Sequence, residues 1–469
     1  MRLPLSFDPV SNGEYLPPRK SKADMAAEAL ARETIARAAR RARTSRREFI
    51  TKTACGMAAC LAAINTVTGC TGGGYALPKE AVKDPDAAKA ALAGKEFIFD
   101  IQTHHVMPGG DWEKHNPTMR AFLRFLPGRT NFGRYAFVKE VFLDSDTTCA
   151  VLSAVPASPE GQPLSDKEAA TTREIVDTLG KSPRLWVHAL VTPNVGAVET
   201  HLDAMERVSK EYRIAAWKVY TLYGERGRGW WLDDEKIGIP MIEKARALGI
   251  KIVCTHKGIP LFGARGGFER PRDVGPVAKR FSDVKFIVYH SGYQPGVREG
   301  PHAPDGRGID ELVRTMADHG IGPNRNVYAE LGSTWWTLMK KPDEAAHALG
   351  KLLKHVGEDN VVWGTDCIWY GSPQPQIEAF RAFQISPELR KKHGYPELTR
   401  ELKAKVLGLN AARAYGIDPR VARPAIERDA VEKLKQSYLP HRDPSFATYG
   451  PRTRREFLRL LLERRGNPA

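Results

Sequence analysis

Short apolar, β-branched runs recur along the chain at residues 96–102, 148–154, 184–191, 214–220, 250–256, 284–290, 326–331 and 360–366. Runs of this length between turn residues read as buried strands. Several of the intervals carry helical periodicity. The stretches at 239–249 and 343–357 place Ala, Leu, Ile and Val at three- and four-residue spacing. Gly249 and Gly357 stand where those helices would be capped. Eight strands alternating with helices predict an α/β chain, a (β/α)8 TIM barrel. A doubly wound parallel sheet is the rival, but it needs no eight equivalent units.

In such a barrel the chemistry gathers at the C-terminal strand ends. The first run, FIFDIQTHH, ends on Gln102 and His104. Period-two alternation puts Asp100, Gln102 and His104 on one face and turns His105 away. The fourth run ends on Lys218 and Tyr220, the fifth on His256, the sixth on His290 and the eighth on Asp366. A lone histidine is more often a packed core residue, and Asp366 alone could cap a helix. His188 sits mid-strand and reads as structural. Convergence of several strand ends on one mouth is what points to a metal-assisted site. A lysine at the mouth would hold an anionic substrate. Among the aromatic loop residues, Trp335 and Trp369 follow strands seven and eight closely, which makes both candidates for substrate binding.

The start of the chain reads differently. Arg46 and Arg47 precede a mild, charge-free stretch from 53 to 78. A basic region followed by a weak apolar region is a signal layout, and the paired arginines suggest the twin-arginine translocase. The segment VTGC, ending at Cys70, resembles a lipoprotein box, so a lipid anchor at Cys70 is an alternative to simple periplasmic release. The expected division is a leader over 1–70, a linker over 71–95, the barrel over 96–418 and a basic extension over 419–469. A near-copy of the arginine motif at 452–461 has no apolar region after it and reads as a basic amphipathic helix.

The net charge of +16 raises the question of nucleic acid. Residues 1–70 supply +6 of it, leaving +10 spread over the rest. No nucleic-acid motif accompanies the charge, so a solvated basic surface is expected and no nucleic-acid partner. Three of the six cysteines lie in the leader, which is not a disulfide framework.

These residues resemble the amidohydrolase superfamily, in particular the amidohydrolase-related group that includes aminocarboxymuconate-semialdehyde decarboxylase. The carriers are DIQTH at the first strand, His256, HSG at His290, GTD at Asp366 and GLNAARAYGID at 408–418. The resemblance implies one divalent ion, zinc being the family's usual metal. His104, His256 and Asp366 would be ligands, with Gln102 where that family usually has histidine. It implies Asp366 and His290 as the catalytic pair, and a homodimer as a common state. The expected reaction is hydrolysis of an ester, lactone or amide by activated water. Non-oxidative decarboxylation of an aromatic or unsaturated acid is the alternative, and a non-catalytic exported binding barrel is the third reading.

Overall fold

The computed structural model describes residues 2–69, 71–107, 109–125, 132–224, 227–261 and 266–463. Cys70, and with it the lipid-anchor expectation, lies outside the described residues. Eight parallel strands follow one another in sequence order around one sheet. They are Phe99–Thr103, Cys149–Ser153, Leu185–Val191, Ala216–Val219, Ile252–His256, Lys285–Tyr289, Val327–Glu330 and Val361–Val362. Seven fall inside an expected run, and the first extends one residue past its own, to Thr103. The eighth is only two residues long because its backbone then turns, with Asp366 at φ +58°. The last strand still closes on the first. Ile101 N–H donates to Trp363 O at 3.1 Å and Asp366 N–H to Gln102 O at 2.9 Å. Thr103 and Cys367 form an isolated parallel bridge. The sheet is therefore a nearly closed barrel.

The strands are buried on both faces, as an all-parallel sheet requires. Phe99, Ile101, Val151 and Tyr289 join one apolar cluster, whereas Ile98, Leu152 and Val288 join the larger one shared with the surrounding helices. Helices Gly238–Ala247 and Pro342–His355 match two expected stretches. Gly249 and Gly357 follow them at φ +74° and +109°, a conformation that L side chains rarely adopt.

The chain ends are built into this fold. Helix α1 (Lys22–Arg41) opens with a capping box between Ser21 and Asp24 and buries Ala27, Ala31, Ile35 and Ala38 along one stripe. Helices α2 (Arg46–Lys52) and α3 (Cys55–Thr68) meet at 94°. Gly56 permits that corner, since a Cβ there would lie 2.9 Å from Ile50. Nine residues of α3 are buried, so the expected apolar leader region is part of the main core. Among the described residues no single helix is long and apolar enough to cross a membrane, although the bent α2–α3 pair has the length and composition. Within the segment expected to be a linker, Gly73–Tyr75 pairs antiparallel with Phe383–Ile385. The basic extension is anchored by Asp429, whose buried carboxylate takes Arg184 Nη2 at 2.8 Å. The five described cysteines are free and buried.

Candidate active site

At the C-terminal ends of the strands a cavity of about 190 Å³ is lined by Gln102, His104, His256, His290, Asp366 and Trp369, among others. Strand one reaches it through an irregularity in its pairing with strand two, between Asp100 and Thr103. A bulge of this kind re-aims side chains near sites. It separates Asp100 from its expected face-mates. The Asp100 carboxylate accepts Thr365 N–H at 3.1 Å and Thr365 Oγ1, and so ties strand eight to strand one. Burial pushes its pKa up to about 7.

The hydrogen bonds fix one protonated nitrogen on each ring, because a carbonyl oxygen can only accept. His104 Nδ1–H donates to Ser153 O at 2.6 Å. His256 Nε2–H donates to Ile259 O at 2.7 Å, and His290 Nδ1–H to Gly332 O at 2.7 Å. The other nitrogens face acceptors. His104 Nε2 stands 3.1 Å from Asp366 Oδ1. His256 Nδ1 stands 3.2 Å from His290 Nε2. Burial holds His256 well below the usual imidazole range and His290 at about 4, so both rings are neutral near pH 7. The His256–His290 junction therefore sets lone pair against lone pair unless a cation or proton lies between, while His104 Nε2 faces the Asp366 carboxylate.

Asp366 is the hub. Its Oδ1 accepts Gln102 Nε2 at 3.0 Å and its Oδ2 accepts Ser333 Oγ at 2.5 Å. Burial opposes its charge, but the hydrogen bond and attraction from His104, with the hydrogen bond from Ser333, outweigh that and hold its pKa well below the ordinary value. Gln102 Oε1 is buried without a hydrogen-bond partner. Among the described residues no three His, Cys, Asp or Glu side chains already surround one point as metal ligands. The donor types nonetheless fit a divalent ion. Imidazole nitrogens and an ionised carboxylate line one cavity, and Gln102, whose amide nitrogen meets that carboxylate, lines it with them.

The backbone is strained here. His290, Ser291, Ser333 and Asp366 all have φ between +54° and +64°. Non-glycine residues in this region cost on the order of 1–3 kcal/mol each and cluster at functional sites. Glu330, which the sequence reading passed over, organises two of these turns. Its carboxylate accepts His290 N–H at 3.0 Å and Gly332 N–H at 2.5 Å. Burial raises its pKa to about 8. It ends strand seven as His256 ends strand five, so its position could have marked it.

Two expected substrate residues lie elsewhere. Lys218 is fully buried, absent from the cavity lining, with Nζ 3.2 Å from the centre of the Tyr289 ring. Trp335 packs between Phe380 and Phe383 and donates its Nε1–H to Gln376 O at 2.9 Å. The helix Thr334–Leu338 turns its ring inward to the core. Trp369 does line the cavity, stacked on His104 at 5.7 Å between ring centres.

A profile of the family described as Amidohydrolase matches residues 163–417. The chain belongs to this amidohydrolase family. The match spans strands three to eight and takes in His256, His290 and Asp366, while the first strand with Gln102 and His104 precedes it. No curated protein matches the chain. Among solved structures, this amidohydrolase is similar to an uncharacterized TIM-barrel protein from Bordetella bronchiseptica, at 13% identity and TM-score 0.45, over 71% of this chain and 99% of that one. It is also similar to 5-carboxyvanillate decarboxylase from Sphingomonas paucimobilis, at 15% identity and TM-score 0.40, over 69% and 100%. A third is 2,6-dihydroxybenzoate decarboxylase from Rhizobium, at 14% and 0.38, over 69% and 99%.

Proposed function

We propose that this amidohydrolase is a metal-dependent hydrolase acting on a small ester, lactone or amide. The observation that carries the reading is the lone-pair junction of His256 with His290, set beside the contact of His104 with Asp366. His104, His256 and Asp366 would hold the ion, with Gln102 Oε1 the further donor. Zinc suits these donors and, when bound, supplies Lewis acidity and lowers the pKa of water. Asp366 orients the attacking water and takes its proton at Oδ1 or Oδ2. Gln102 and Ser333 fix that carboxylate, so a charged base is held ready without reorganisation. His290, neutral and bare at Nε2, polarises the carbonyl or passes a proton to the leaving group.

Decarboxylation is the second reading, and one observation favours it. Trp369, Phe122, Tyr220 and Tyr223 give the cavity an aromatic lining that suits a flat acid. Export by the twin-arginine route, on Arg46 and Arg47 and with the leader retained in the folded chain, also belongs to this proposal.

Elemental mass spectrometry of the purified full chain tests the core of it. About one divalent ion per chain is expected, with removal by chelator abolishing turnover and ion return restoring it. Absence of any bound or bindable ion would sink the reading. Incorporation of ¹⁸O from labelled water into the product distinguishes hydrolysis from release of carbon dioxide.

A further inference from the structure

We infer that the N-terminal strap, residues 3–15, forms one wall of the active-site mouth and limits the substrate to about one ring. This deepens the proposed function and rests on that site being the reactive one. Asn12, Gly13 and Glu14 line the same cavity as His104, His256, His290 and Asp366. Its volume of about 190 Å³ is below the roughly 300–1,000 Å³ of sites that take drug-sized ligands. The strap is therefore a boundary of a small space.

The strap is held from the core side and from outside. Leu3, Leu5 and Phe7 are buried in the main core. Ser11 N–H donates to Pro451 O at 3.0 Å, so the basic extension clamps it from outside. That contact is close enough to require Gly450, where a Cβ would lie 2.0 Å from Ser11 O. The tip is a folded turn. Asn12 Oδ1 accepts Glu14 N–H at 3.2 Å, Asn12 Nδ2 donates to Glu14 Oε2 at 2.6 Å, and Gly13 N–H donates to Ser11 Oγ at 3.0 Å. Such local bonding holds both side chains in place against the cavity. The extension contributes to the mouth as well. Tyr449 N–H donates to Trp369 O at 2.8 Å, and Tyr449 packs on Phe132, which packs on Trp369.

The two ends of the chain thus close a site that the barrel leaves wider. A chain cut after Tyr15 loses this wall, so the form that works on one-ring substrates keeps its N-terminus.

The test uses the zinc-loaded full chain and two probes, benzohydroxamate with one ring and 2-naphthohydroxamate with two, in titration calorimetry. The parent should prefer the smaller probe by about tenfold or more, the range of steric discrimination in a fixed pocket. Asn12→Ala with Glu14→Ala should erase most of that preference by tightening the larger probe. Benzohydroxamate binding with an unchanged preference in the double variant would overturn the wall while leaving the metal site standing. Failure of both probes to bind the parent would overturn the site reading, and the size limit with it. Should the double variant not fold, amide exchange in the parent decides. Benzohydroxamate should slow exchange at residues 11–15, and no slowing there would end the inference.

Discussion

Two clusters of buried titratable groups sit one above the other in this barrel, and their protons are arranged in opposite ways. In the lower cluster every proton has a place. Tyr415 O–H donates to His188 Nε2 at 2.7 Å, His188 Nδ1–H donates to Tyr289 Oη at 3.1 Å, and Tyr289 O–H donates to Ile101 O at 2.5 Å. Hydroxyls can give and take, so a neutral imidazole is satisfied at both nitrogens. In the upper cluster three histidines each spend one N–H on a carbonyl, and the other nitrogens of His256 and His290 meet each other bare. Burial is equal in the two, with all four rings about 1% exposed. The difference lies in partners: the upper rings leave a junction that a cation or proton would fill, and the lower ring leaves none.

The largest expected effect comes from the hub of the upper cluster. Asp366→Ala should lower kcat by about 10⁴-fold, the upper end for loss of a positioned base, and release the ion. Steady-state kinetics with elemental analysis of the same sample reads both. His290→Asn should lower kcat by about 10²-fold while keeping most of the ion. If His290→Asn instead empties the site, its nitrogen is a ligand and the assigned roles must be exchanged.

Glu330→Gln tests the support beneath. The amide accepts through one oxygen only, so one of the two backbone N–H groups loses its partner, at a cost of about 1–3 kcal/mol. Denaturant unfolding should show that loss together with a drop in activity smaller than for His290→Asn.

The lower cluster should answer in stability alone. His188→Phe should leave activity within about twofold and cost about 1–3 kcal/mol for the orphaned Tyr415 and Tyr289 groups. A large loss of activity would break the contrast between the clusters. The smallest effect concerns Lys218. Burial lowers its pKa to about 7 from the model-peptide value of 10.5. Between those values the unfolded chain holds the proton and the folded chain does not, so this group makes stability rise as pH rises from about 7 to 10.5. Lys218→Met should flatten that part of the parent's curve of unfolding free energy against pH.

Much of this was legible along the chain because local periodicity records it. Eight apolar runs gave eight strands, and Gly249 and Gly357 gave two helix ends. The strand-end positions of Gln102, His104, His256, His290 and Asp366 put them in one cavity. What the pattern could not carry was contact between distant segments. Gln102 meets Asp366 across 264 positions, and only that meeting shows the glutamine serving the aspartate through its amide nitrogen. Trp335 and Trp369 both follow strand ends closely in sequence, yet a short helix turned one into the core and left the other at the mouth. Lys218 ends a strand run as the histidines do, but it is buried against the Tyr289 ring and does not line the cavity. Residues 3–15 lie in a stretch that the arginine motif marks as leader, and nothing local in them points to the barrel. The sequence determined the barrel and its chemical inventory, since hydrophobic period and strand-end placement are local properties. The tertiary structure decided which groups face one another, which nitrogens stay bare and which chain end walls the cavity, because those depend on distances between segments that the chain brings together only by folding.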